Sequence, residues 1–227
     1  MAMDRLSLCR CLEAMQMPLV KRQKLIERDA RRAAIKEKLK LSSTGQDFYG
    51  AFWSDAKKSA VNDDFDLRVA TIGRVARNRS RRNLYPRLLA GFEAGWTRLE
   101  ELATFVGDLE PVGGLVARLK GRDENDEVDI GNLLAVKDRA DRLHLVAPYF
   151  SKTIPLGQRH ARIGIGTMSK EFARLTPSTV AILDVVRGHL FANDEVSLDG
   201  SEEDVLLDRY NAMMREWRIQ KRYYLRS

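Results

Sequence analysis

Seven arginines fall between residues 68 and 87, at Arg68, Arg74, Arg77, Arg79, Arg81, Arg82 and Arg87, with no lysine and no acidic residue among them. A guanidinium is a planar fork that donates two parallel hydrogen bonds to a phosphate, which a point-charge ammonium does not. The spacing places Arg74, Arg77 and Arg81 near one helix face and Arg79 and Arg82 on the loop that follows, an arrangement able to track a phosphate backbone. The competing readings are a solvated helix and loop, or arginines paired with the acids of 123–129. A helix-turn-helix over 65–105 also fits two amphipathic helices around a basic loop, but that loop is long for the motif and holds no turn glycine.

The remaining chemistry-bearing residues are sparse. Cys9 and Cys11 are separated by a single residue, too close for an unstrained disulfide, and read as free thiols on a helix. His144, His160 and His189 fall in three different elements without ligand spacing, and no nucleophile-elbow glycine pattern accompanies any serine. The acidic run Asp123, Glu124, Asp126, Glu127 and Asp129 lacks the turn glycine and distal glutamate of a calcium loop and reads as a solvated turn. Gly164 and Gly166 lie mid-helix rather than after a strand, so they suit close helix–sheet packing and not a dinucleotide. Tyr223 and Tyr224, beside Lys221 and Arg222, either stack on bases or a partner, or fold back on the same domain.

The elements that must position these residues follow from apolar spacing. Leu6, Cys9, Leu12 and Met15 predict a first helix ended by Pro18. A second, over 19–39, carries so few apolar residues among its lysines and arginines that it must be solvated or bound to something. Ser42 to Gly45 reads as a linker. Asp47 is placed to cap a short helix with Phe48, Phe52 and Trp53, and Asp63 or Asp64 to cap the next, with Phe65, Val69, Ile72, Val75 and Ala76 on its buried side. Pro86 opens a helix over 86–106. Three strands follow, at 113–119, 128–136 and 143–150; then a helix at 155–175, a buried strand at 180–186, a possible return strand from His189, and a last helix after Ser201.

The order helix, three strands, helix, strand over 86–186 resembles the core of the PD-(D/E)XK nuclease superfamily. The resemblance is one of topology and covers about half the chain. It implies a divalent metal such as Mg²⁺, held by an acid on the second strand and an acid-x-Lys triplet on the third, that polarises the attacking water. Asp129 matches the second-strand position, and Glu93 the acid some members carry on the first helix. The third strand, Leu143 to Phe150, has no carboxylate, so the resemblance is to a degenerate, non-catalytic member of that superfamily. The chain's acid-x-Lys triplet, Asp55-Ala56-Lys57, lies in an N-terminal helix with its side chains pointing apart.

Charge and composition bound the rest. Residues 1–100 hold 21 Lys and Arg against 12 Asp and Glu, and residues 101–227 hold 18 against 20, so the basicity belongs to the first part. With 44% hydrophobic residues the chain can bury a core, and no run reaches the roughly 20 apolar residues of a membrane helix. The expectation is an α+β fold: an N-terminal helical region over 1–85, then a small mixed or antiparallel β-sheet packed with helices over 86–227, with the helix at 86–106 shared between them. The function expected is non-enzymatic nucleic-acid association in the cytoplasm through Arg74, Arg77, Arg79, Arg81 and Arg82, without a cofactor or membrane. The alternatives are a metal-dependent nuclease using Asp129 and Glu93, and an adaptor whose basic helices bind an acidic protein.

Overall fold

The computed structural model describes residues 5–39, 48–123 and 125–226, so the linker at 42–45, the Asp47 cap and Glu124 lie outside the described residues. In chain order the elements are β1 (Arg5–Ser7), α1 (Leu8–Gln16), α2 (Leu19–Leu39), α3 (Gly50–Ser59), α4 (Leu67–Arg77), a 3₁₀ turn (Arg79–Arg81) and α5 (Tyr85–Ala103). Then come β2 (Glu110–Pro111), β3 (Ala117–Lys120), β4 (Glu127–Ile130), β5 (Leu134–Lys137), β6 (Leu143–Tyr149) and α6 (Gln158–Glu171). A second 3₁₀ turn (Ala173–Leu175), β7 (Thr179–Asp184), β8 (His189–Ala192) and α7 (Glu202–Arg226) complete the α+β fold.

The central sheet has the order β2-β5-β6-β7-β8, and in it only β6 and β7 run parallel, joined by the α6 crossover. Every residue of β7 is buried, which is why 180–183 reads as an unbroken apolar run rather than an alternation. Alternation instead sorts its side chains between two cores. Val180 and Ile182 pack with Leu145, Ala147 and residues of α1, α2, α6 and α7, whereas Ala181 and Leu183 pack with Val146 and residues of α3, α4 and α5. Glycines set the closest approaches on both sides: a Cβ on Gly95 of α5 would lie 2.1 Å from Leu183 Cδ1, and one on Gly164 of α6 would lie 2.5 Å from Ile182 Cδ1. Residues before 85 contribute to both cores: Leu12 and Ile26 belong to one cluster and Phe52 and Trp53 to the other.

The strand expected over 128–136 is two strands in two sheets. Asn132, at φ 56°, turns the chain after Gly131, so that β4 joins a separate sheet of order β1-β4-β3 while β5 enters the central one. Left-handed backbone is tolerated by asparagine at little cost, and periodicity does not report it. Leu6, expected at the start of the first helix, lies instead on β1 (Arg5–Ser7), which pairs parallel to β4 in the register Leu6 with Val128.

Helix α2 resolves as a bound helix: Ile26, Ala30 and Ala34, at most 1% exposed, form a seam against α7 and leave the lysines and arginines outside. Trp217 Nε1 donates to Asp29 at 3.1 Å, and Lys221 Nζ meets Glu37 at 2.7 Å. The expectation for α4 is corrected. Its cap is Asp66, which accepts from the amides of Arg68 and Val69, and its buried residues are Leu67 and Thr71. Val69 and Ile72, expected inside, are 64% and 68% exposed. Besides Leu67 and the partly buried Val75, ion pairs from Arg74 to Asp55 of α3 and from Arg68 to Glu93 of α5 tie the helix down, and apolar spacing does not reveal these.

Candidate functional site

The arginine stretch divides into tied and untied members. Arg68 donates to both oxygens of Glu93 on α5, at 2.7 and 3.0 Å. Arg74 grips Asp55 of α3 in the same way, with Nη2 2.9 Å from Oδ1 and a second bond from Nε to Oδ2. Asp55 is buried, so Arg74 neutralises an interior carboxylate rather than facing solvent, and its guanidinium pKa is raised by that hydrogen bond. Arg81 lies over the Tyr85 ring, its Cζ 5.1 Å from the centroid, with Nε buried and without a hydrogen-bond partner.

Arg77, Arg79 and Arg82 are exposed, and among the described residues none has an acidic side chain within ion-pair distance. They flank a turn built locally by Asn78, whose Oδ1 accepts from the amide of Ser80 at 3.0 Å and from its hydroxyl at 2.7 Å. Helix α5 begins just beyond, with no acid in its first turn and no side-chain cap, so its positive end adds to the same corner. The expected quintet therefore resolves into an exposed trio, with Arg74 turned to α3 and Arg81 half-buried on Tyr85. Among the described residues, the acids of 123–129 do not pair with this stretch: Asp123 and Asp126 bind Arg218, and Lys120 holds Glu127 at 2.7 Å.

The acids expected for a metal do not converge. Asp129 sits on β4, outside the central sheet, with Arg5 Nε at 2.6 Å and Arg118 Nε at 3.5 Å. Glu93 is on α5, which covers the central-sheet face opposite the core that β4 joins, and is occupied by Arg68. The strands β5 and β6 carry no carboxylate. A divalent cation needs carboxylates free to bind it, and these residues do not fit one. Among the described residues no group of three His, Cys, Asp or Glu side chains is placed to hold a metal. Asp55 and Lys57 of the acid-x-Lys triplet do point apart, to Arg74 and to Asn132 Oδ1 at 2.9 Å.

Two arrangements lie outside what periodicity shows. The first is a cleft of about 650 Å³ between the N-terminal turn of α1 (Ser7 to Arg10), Phe48 and Tyr49, the β4–β5 connection and the end of β6. Tyr49 and Phe150 stack on its wall, centroids 4.7 Å apart and 11° from parallel. Cys9 also lines it, its thiol pushed up to about 12 by burial and therefore protonated at neutral pH. The second is a buried polar cluster. His144 places Nδ1 3.0 Å from Thr179 Oγ1 and its unpartnered Nε2 3.8 Å from Asp138 Oδ2, beneath the Phe105 ring. Burial alone raises the Asp138 carboxyl, but hydrogen bonds from the Arg142 guanidinium and amide and the Val106 amide outweigh it and hold the group well below the carboxylate range. Burial holds His144 neutral by lowering its pKa.

At the C-terminus, Tyr224 folds back on α2, donating to Glu27 Oε1 at 2.8 Å. No described helix is long and apolar enough to cross a membrane. The chain matches no protein-family model and no curated protein.

Proposed function

We propose that this protein is a non-enzymatic nucleic-acid-associated protein that holds phosphates at the corner between α4 and α5, through Arg77, Arg79 and Arg82. The observation that carries this is that three arginines within six residues are exposed and, among the described residues, have no acidic partner, whereas Arg5, Lys120 and Arg218 are each held by acids. Phosphate contacts release counterions, so affinity for DNA or RNA should fall steeply with salt and weaken when these three arginines become alanine. Binding that is absent at low salt, or indifferent to the three substitutions, overturns the reading.

A second reading has support from α4 itself. Val69 and Ile72 are exposed on the helix that ends at Arg77, and apolar side chains on an arginine-bearing element suit an acidic protein surface with an apolar centre. Val69→Ser with Ile72→Ser separates the two: a protein partner's affinity falls, whereas phosphate binding does not change.

A further inference from the structure

The arginine corner and the cleft are joined by aromatic side chains. Arg81 lies over Tyr85, the Tyr85 ring is 5.6 Å from that of Phe48, and its hydroxyl donates to the Phe48 carbonyl at 2.9 Å. Phe48 meets Tyr49 edge-on at 5.5 Å, and Tyr49 stacks on Phe150. Tyr85 is fully buried, but Phe48, Tyr49 and Phe150 are partly exposed and all three line the cleft. Each step is a direct contact, so Arg81, at the turn that carries the untied arginines, is linked through the buried Tyr85 to the rings that line the cleft.

We infer that the polyanion is a single-stranded nucleic acid, its phosphates on Arg77, Arg79 and Arg82 and an unpaired base seated in the cleft beside Tyr49 and Phe150. This rests on the phosphate-binding reading of the arginine corner. A base in a duplex is stacked between its neighbours and cannot enter a recess, whereas an unstacked base offers a π-face to any aromatic wall regardless of its identity. The cleft lies within the size range that encloses a small planar group, and Pro148 and Leu133 add apolar walls. Across from the rings, α1 begins at Ser7 with neither a side-chain cap nor a first-turn acid; Arg10 on that wall is paired with Glu13, and Asp129 of the lining is paired with Arg5 and Arg118. With these side chains paired, the backbone amides of that first turn are what the wall offers the phosphate attached to a seated base.

The test is titration of the whole chain with a dye-labelled oligothymidylate of about 12 nucleotides and with a duplex of equal length, read by fluorescence anisotropy. Tyr49→Leu and Phe150→Leu keep apolar volume while removing the π-face, and thermal unfolding of each variant verifies the fold. The expected result is tighter binding of the single strand, weakened about tenfold by either substitution, with duplex binding unchanged. Equal binding of both probes, insensitive to Tyr49 and Phe150 but lost with the arginines, overturns the single-strand inference and leaves the phosphate reading standing. No binding of either probe overturns both. Binding of thymidine monophosphate as tight as that of the oligonucleotide also overturns the inference, because the cleft would then take a small molecule without the arginine corner.

Discussion

Across the β1-β4-β3 sheet, Arg5, Arg118 and Lys120 interleave with Glu127 and Asp129, while at the α4–α5 corner Arg77, Arg79 and Arg82 have no acid in reach among the described residues. Both regions are rich in cations. The difference comes from register: antiparallel pairing sets Arg118 opposite Asp129 and Lys120 opposite Glu127, at the separation where opposite charges meet. A helix and turn made from a segment without acids has no such neighbour of its own and must borrow one from other elements. Arg68 and Arg74 borrow Glu93 and Asp55; the trio beyond them does not. Availability to a polyanion thus depends on pairing in the folded chain rather than on the number of arginines.

The largest expected effect tests the untied side of this contrast. Replacing Arg77, Arg79 and Arg82 together with alanine should lower nucleic-acid affinity at low salt by about 100-fold and reduce the slope of log affinity against log salt by about 2. Arg118→Ala, at a paired position, should change affinity less than about twofold. Equal losses at the two places would erase the distinction.

Next in size is Arg74, where chemical denaturation and binding should separate. Arg74→Ala leaves the buried Asp55 carboxylate without its partner and should cost about 2–3 kcal/mol of stability in urea unfolding, with the affinity of the folded protein unchanged. Adding Asp55→Ala should restore part of the loss. An affinity loss as large as that of the exposed trio would place Arg74 in the interface.

The buried His144 sharpens the comparison, since it is neither paired like the sheet residues nor exposed like the corner. Its folded pKa is lowered by burial, so its contribution to stability is complete above the unfolded value and is lost as pH falls below about 6.5. The melting temperature should therefore decline between pH 7 and 5 by roughly 2–4 °C, and His144→Gln should flatten that decline. His160, also lowered by burial, acts in the same direction, and His160→Gln measures its share. An undiminished slope in the double variant would assign the decline to other groups. Asp138 acts at lower pH: its depressed pKa stabilises the fold above the ordinary carboxylate range and is lost only as pH falls through it.

The smallest effect is expected at Asp129. Its pairs with Arg5 and Arg118 are largely solvated, so Asp129→Asn should move the melting midpoint by no more than about 2 °C. A larger shift would mean that the sheet depends on its charge ladder.

The α+β class was legible because most elements announce themselves locally. Apolar spacing found α2, α5 and α7, and the unbroken run at 180–183 found β7. It failed at α4, where Leu67 and Thr71 face inward and the Val69–Ile72 phase does not. It also failed at 128–136, which one asparagine in a left-handed conformation divides between two sheets. The arginine density was equally plain, but the partners that remove Arg68 and Arg74 lie 25 and 19 residues away and arrive only through packing.

By itself the sequence determined the basic first part, the acid-free stretch from 68 to 87 and the order of most helices and strands, because these depend on residues near one another in the chain. The tertiary structure decided which arginines stay exposed and that Asp129 meets Arg5 rather than a second carboxylate. It also assembled a cleft from residues 7–10, 48–49, 129–133 and 147–150. Those outcomes depend on which distant side chains are brought within a few ångströms, and no local pattern specifies that.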